Sequence, residues 1–335
     1  MGEATRYTRL GGRTGPIQSH LVSTSSALEY WQTVREPRPT RFYRRTPNAK
    51  RIPSMEEKHL YGYGAGSFHR IAYTKWGQAS AQPPVICVHG LIRNGRDFDY
   101  LSLALEREGR QVFCPDIVGR GKSDWLANPA NYNYAQYITD LTALIARTGA
   151  ESVDWVGTSM GGLIGMLLAA ETKTPIRRLV LNDIGPFISR AALERIGAYI
   201  GQSPVFDDFE GVEKYLREIY SPFGDLTDEN WRHLAHHGAR TMANNKLGLA
   251  YDPAIAQAFL AVNQDVDLWW VYDRVRCPVL LLHGLDSDVL PALIAQEMTQ
   301  RGPRAELVEF PKIGHAPALM NPAQIAIVAD FLRRA

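Results

Sequence analysis

From residue 83 onward, short unbroken apolar runs alternate with longer stretches whose apolar residues recur every three or four positions. The runs at 85–89, 111–115, 153–156, 177–181, 278–282 and 305–310 have the length of strands, and each predicts a strand buried on both faces. The periodic stretches at 97–108, 134–147, 291–301 and 322–333 predict helices, and an apolar helix opens at Met160 and continues through 163–170. Strand, helix and strand in repeated order predict an α/β fold with a mostly parallel, doubly wound sheet and helices on both faces. Sites in such sheets lie beyond the carboxyl ends of the strands.

Two regions break this alternation. Residues 59–76 are rich in glycine turns and aromatics, and the alternation over 68–74 predicts an antiparallel hairpin at a sheet edge. Between about 186 and 268 strands disappear, and helices are predicted over 190–200, 212–220, 228–237 and 253–260, the third opened by the capping signal Thr227-Asp228-Glu229. An all-helical insertion between two strands, at the active edge of the sheet, reads as a cap or lid.

Composition changes this picture little. A hydrophobic share of 45% and a charged share of 21% are ordinary for a globular protein, and 335 residues allow one large α/β domain with an insertion. A net charge of +2 gives no reason to expect a nucleic-acid or membrane-surface partner. The charge is unevenly placed, however. Residues 1–54 hold ten basic and three acidic side chains, a surplus of seven, which leaves the rest of the chain at minus five. This segment lacks either periodicity and is expected to be a flexible basic extension. Three explanations compete: a solvated tail, an Arg- and Ser-rich targeting segment, or a start assigned too far upstream with Met55 as the working start. Cys87, Cys114 and Cys277 sit in or beside apolar runs and cannot build a disulfide framework, so a reducing, cytoplasmic setting is expected. No run approaches the ~20 apolar residues of a membrane span, and no apolar segment follows the early arginines as in a secretory leader.

The chemistry centres on Gly157-Thr158-Ser159-Met160-Gly161, placed between a strand and a helix. Small residues two before and two after a serine let the chain turn sharply and lift its hydroxyl out of the sheet at a helix N-terminus. A serine hydroxyl needs a base, and the base needs an orienting acid. His315 lies in a loop at the end of the last strand and is the expected base. The loop after 278–282 offers Asp288, the first choice as acid, and Asp286, while Asp183 at the end of the preceding strand could also reach the histidine. The expected oxyanion donors are the backbone N–H groups of Met160, directly after the serine, and Leu91, where Gly90 lets the backbone approach. His89 is expected to brace that loop. His89, His233, His236 and His237 have no ligand spacing that recommends a metal site.

These motifs, with Asp116-Ile117-Val118-Gly119-Arg120-Gly121-Lys122-Ser123 and the ending Gly314-His315-Ala316-Pro317, resemble the α/β-hydrolase family over roughly residues 59–335. The resemblance implies that 55–335 form an α/β-hydrolase domain with its cap at about 186–268. Many members carry the acid three residues after the glycine matching Gly284. That position here is Ser287, and the Ser287-Asp288 pair is similar to a subset with the acid shifted by one. A serine nucleophile implies hydrolysis of a carboxylic ester, lactone, thioester or hydroxyacid oligomer through an acyl-enzyme, without cofactor or metal. Trp231, Phe259, Trp269 and Trp270 suggest a hydrophobic small-molecule substrate, unless they form the core of the cap. Two alternatives remain: carbon–carbon bond hydrolysis of a dienoic ketoacid, for which Arg93 and Arg96 could supply a cationic pocket, and a non-catalytic small-molecule receptor.

Overall fold

Strand β1 (Glu56–Gly64) turns through Ala65 and Gly66, both at positive φ, into β2 (Ser67–Trp76), forming the expected hairpin. The computed structural model describes residues 55–243 and 245–334, so the expectations for residues 1–54 lie outside the described residues. After the hairpin come β3 (Val85–Val88), α1 (Asp99–Arg107), β4 (Val112–Pro115) and α2 (Tyr134–Thr148). Asn133 caps α2 by accepting from the Gln136 N–H, and Gly149 ends it at φ 70°. The chain continues through β5 (Val153–Thr158), α3 (Met160–Ala169) and β6 (Ile176–Asn182).

An insertion follows. It contains β7 (Phe187–Ile188), α4 (Arg190–Gly197), β8 (Val205–Phe206), α5 (Phe209–Ile219), α6 (Asp228–Gly238), β9 (Ala239–Thr241), β10 (Leu247–Leu249), α7 (Ile255–Leu260), β11 (Val266–Asp267) and α8 (Trp269–Tyr272). The helices match the reading of the sequence, but the insertion is not all-helical: β8, β10 and β9 form a small sheet, and β7 pairs with β11. Strands of two or three residues with distant partners leave no period in the sequence. The β7–β11 pair ties the start of the insertion to its end. The chain then returns through β12 (Val279–Gly284), α9 (Ala292–Met298), β13 (Glu306–Phe310) and α10 (Pro322–Arg333).

The main sheet has the order β1-β2-β4-β3-β5-β6-β12-β13. Its strands are parallel from β4 to β13, while β1 and β2 are antiparallel additions at one edge. Alternate side chains feed two separate cores. Ile86, Val88, Trp155 and Leu281 join the apolar residues of α2 and α3 on one face. Val85, Cys87, Val156, Leu280 and Leu282 join α1 and α10 on the other. Burial on both faces explains why these strands read as unbroken apolar runs. Among the described residues no helix is long and apolar enough to cross a membrane.

Candidate active site

Ser159 stands between β5 and α3 with φ 51° and ψ −116°, a backbone conformation that side-chain-bearing residues rarely adopt. The flanking glycines make this turn possible. A Cβ on Gly157 would lie 2.3 Å from the Gly161 carbonyl oxygen, and one on Gly161 would lie 2.1 Å from that of Val88. Trp155 Nε1–H donates to the Gly161 carbonyl at 3.0 Å and fastens the first turn of α3 to β5.

The Ser159 Oγ lies 2.8 Å from His315 Nε2, and His315 Nδ1 lies 2.8 Å from Asp183 Oδ2. With a carboxylate as acceptor, Nδ1 carries the hydrogen and Nε2 is left to accept from the serine hydroxyl. His315 is 13% exposed and Asp183 fully buried. Asp183 Oδ1 also accepts from the Gly284 N–H at 2.8 Å, and Oδ2 from the Ser287 hydroxyl at 2.6 Å. The expected partner of His315 is therefore corrected from Asp288 to Asp183. Asp288 is 47% exposed and pairs with Arg195 of α4, and Asp286 is exposed. The physical reason lies in sheet order: β6 and β12 are adjacent parallel strands, so a carboxylate from either carboxyl end can face the same histidine. Ser287, three residues after Gly284, donates to Asp183. The signal in the sequence was a hydroxyl at that position together with an aspartate closing the strand before it.

Leu91 and Met160 both border the cavity above Ser159. His89 is buried between two backbone groups: Ile117 N–H donates to its Nε2 at 2.9 Å, so Nδ1–H donates to the Gly90 carbonyl at 2.6 Å. Burial lowers the His89 pKa to about 4 and keeps the ring neutral. The Gly90 carbonyl and the Leu91 N–H belong to one rigid peptide plane, so the histidine that holds the first also aims the second. A Cβ on Gly90 would meet Ser159 Cβ at 3.7 Å, an ordinary contact, so the close approach is less demanding than the sequence suggested.

A cavity of about 1000 Å³ lies above these groups, between the sheet and the insertion. Ile188, Leu193, Ile196, Phe259, Val262 and Leu268 contribute apolar wall. Of the four aromatics expected there, only Phe259 lines the cavity. Trp231 is buried in the insertion's own core, Trp269 lies beneath Arg301, and Trp270 is exposed. Arg93 donates to Asp97 at 2.9 and 2.6 Å, and Arg96 forks onto Asp99, so neither guanidinium is left unpaired. Asp99, His233 and His237 offer ligand atoms within 4.8 Å of one another, a grouping that the sequence reading did not single out, although the two histidines stand four apart on α6. Asp99 is already engaged by Arg96, and His233 Nε2 bonds the Arg96 carbonyl at 2.9 Å.

A family model described as alpha/beta hydrolase fold matches residues 83–322. The chain belongs to the α/β-hydrolase family. This α/β-hydrolase is 43% identical over 272 residues to a 3-hydroxybutyrate-oligomer hydrolase of Cupriavidus necator, covering 78% of this chain and 92% of that one. It is 25% identical over 229 residues to a 2-hydroxymuconate semialdehyde hydrolase of a Pseudomonas species, covering 68% and 78%. Among solved structures, an alpha/beta hydrolase of Novosphingobium aromaticivorans superimposes with a TM-score of 0.75 at 35% identity, covering 85% of this chain and all of that one. The α/β-hydrolase described here is accordingly a hydrolase by family as well as by fold.

Proposed function

We propose that this chain is a serine hydrolase that cleaves ester bonds in short oligomers of a hydroxyacid such as 3-hydroxybutyrate. The observation that carries this reading is the chain of contacts from Ser159 through His315 to Asp183 at the base of the cavity. The nucleophile, base and acid are thus Ser159, His315 and Asp183, with the N–H groups of Leu91 and Met160 as oxyanion donors. The oligomer hydrolase of C. necator supports the substrate class, and a cavity of about 1000 Å³ with apolar walls suits an uncharged stretch of oligoester.

In the first half-reaction His315 Nε2 takes the Ser159 proton as Oγ attacks the ester carbonyl. The Asp183 carboxylate stabilises the imidazolium, and His315 then returns the proton to the departing alkoxide. In the second half, water gives its proton to His315 and attacks the acyl-enzyme, and the same proton restores Ser159. The insertion acts as the cap. Carbon–carbon hydrolysis of a ketoacid is less well supported, because Arg93 and Arg96 are already paired with carboxylates. Free thiols at Cys87, Cys114 and Cys277 support a cytoplasmic setting.

The test is to incubate the purified chain with 3-hydroxybutyrate dimer and trimer and, separately, with a dienoic ketoacid. Release of monomer that disappears in Ser159→Ala is expected. Turnover of the ketoacid with intact oligoesters would contradict the reading.

A further inference from the structure

Arg120 is fully buried, yet among the described residues its side chain makes no ion pair. A buried guanidinium without a carboxylate is costly unless its N–H groups find other acceptors. Here Nε donates to the Leu91 carbonyl at 2.8 Å, and Nη1 donates to the Val118 carbonyl at 2.8 Å and the Tyr137 hydroxyl at 3.0 Å. Nη2 meets Met160 Sδ at 3.7 Å. The guanidinium also lies 5.0 Å from the Tyr137 ring centre and 5.8 Å from that of Tyr132. Leu91 and Met160 are the two residues whose N–H groups form the oxyanion hole under the function proposed above. Leu91 lies in the loop after β3 and Met160 opens α3, and Arg120 touches both.

We propose that Arg120 is the positioning residue of the oxyanion hole. It holds the Leu91 loop and the start of α3 in register, and it sets a fixed positive charge behind the place where negative charge develops. His89 pins the peptide before Leu91 through the Gly90 carbonyl, and Arg120 pins the one after it through the Leu91 carbonyl. The Leu91 N–H lies in the first of these planes, and fixing the second plane on the other side of the Leu91 Cα limits the swing of the first, so the N–H keeps one direction. The low dielectric of a buried site strengthens the interaction of the guanidinium with the developing oxyanion. The backbone of Arg120 bridges Tyr251 of the insertion, and the adjacent Gly121 N–H donates to the Ala250 carbonyl at 2.7 Å. Docking of the cap and alignment of the oxyanion donors thus share one residue.

This role rests on the serine acyl-transfer reading, and the test separates the two. Wild type, Arg120→Gln, Arg120→Lys and Tyr137→Phe are compared for kcat, KM, affinity for a trifluoromethyl ketone that adds to the serine as an oxyanion, and affinity for a matched unreactive ether. Arg120→Gln should lower kcat by about a hundredfold while KM moves by less than about threefold. Its affinity for the ketone should fall in step with kcat, and that for the ether should hold. Arg120→Lys should recover part of the loss, and Tyr137→Phe should show the same pattern more weakly. A folded Arg120→Gln with wild-type kcat, or equal weakening of ketone and ether, would overturn the assignment. If Arg120→Gln does not fold, Arg120→Lys and Tyr137→Phe decide: unchanged ketone-to-ether preference in both overturns it. A wild type that a fluorophosphonate does not label removes the serine reading and this role together, whereas a labelled wild type with indifferent variants removes only the role of Arg120.

Discussion

Asp183 and Asp288 stand at the ends of neighbouring parallel strands, and burial separates what each can do. Asp183 is enclosed and gathers hydrogens from His315, Ser287 and the Gly284 backbone, whereas Asp288 faces solvent at the cavity mouth opposite Arg195. Under the proposed function, Asp183→Asn should therefore lower kcat by about 10³–10⁴, as loss of the orienting acid does in Ser-His-Asp triads, while Asp288→Asn should stay within about threefold of wild type. Steady-state rates on one oligoester check both, and the reverse order would return the acid to the β12 loop. The sequence named Ser159 and His315 because each lies in a local motif. The choice among three aspartates depended on side-chain direction, which no local pattern records. A second residue-scale prediction concerns acid. His89 protonates near 6.5 when unfolded and near 4 when folded, so the unfolded chain binds more protons between these values. Its contribution is complete above about pH 6.5 and is lost as pH falls towards 4, at up to about 1.4 kcal/mol per unit. His237, lowered to about 3 by burial and by Arg96, acts in the same sense. Asp116, raised to about 6 by burial, acts in the opposite one, losing its contribution as pH rises through that value. Asp99 and Asp140, also raised by burial, act in the same sense as Asp116, so the two histidines are read most directly by replacing one of them. Urea unfolding at pH 7 and 4.5 should show wild type losing more stability on acidification, or gaining less, than His89→Gln; equal changes in the two would contradict it.

At the scale of elements, the strands of the parallel sheet were legible because both of their faces are buried. The hairpin was legible because alternation and turn glycines coincide. The elbow belongs to this scale too, since its glycines serve the crossing of β5, α3 and β3. Gly161→Ala would place a methyl 2.1 Å from the Val88 carbonyl oxygen, which β3 cannot yield, and should destabilise the fold by about 3 kcal/mol or abolish it. Gly90→Ala meets only an ordinary 3.7 Å contact and should leave the melting temperature near wild type. Thermal unfolding of the two variants checks the contrast. The short strands of the insertion were not legible, because β7 and β11 find each other across some eighty residues without a repeating pattern.

Across the whole molecule, the insertion is held to the sheet domain by a few polar clasps around the cavity. The Asp252 N–H donates to the Gly119 carbonyl at 2.7 Å, the Tyr132 hydroxyl to Asp252 Oδ2 at 2.6 Å, and Asn94 Nδ2 to the His237 carbonyl at 2.8 Å. Arg195 and Asp288 add a half-exposed ion pair, the kind worth no more than about 1 kcal/mol. Tyr132→Phe removes one donor from the buried Asp252 carboxylate and should cost about 1–3 kcal/mol in urea unfolding, whereas Arg195→Gln should cost less than about 1 kcal/mol. Equal costs would contradict the ranking of these clasps. Under the proposed function, the insertion, the cavity and the contacts from Ser159 through His315 to Asp183 serve one covalent event, the transfer of an acyl group to Ser159. The most direct measurement is rapid-quench mass spectrometry of the chain mixed with 3-hydroxybutyrate dimer. An acyl adduct on the peptide carrying Ser159, formed before steady turnover and absent in Ser159→Ala, is the expected result. Oligomer cleavage with no adduct on Ser159, or cleavage that survives in Ser159→Ala, would contradict it.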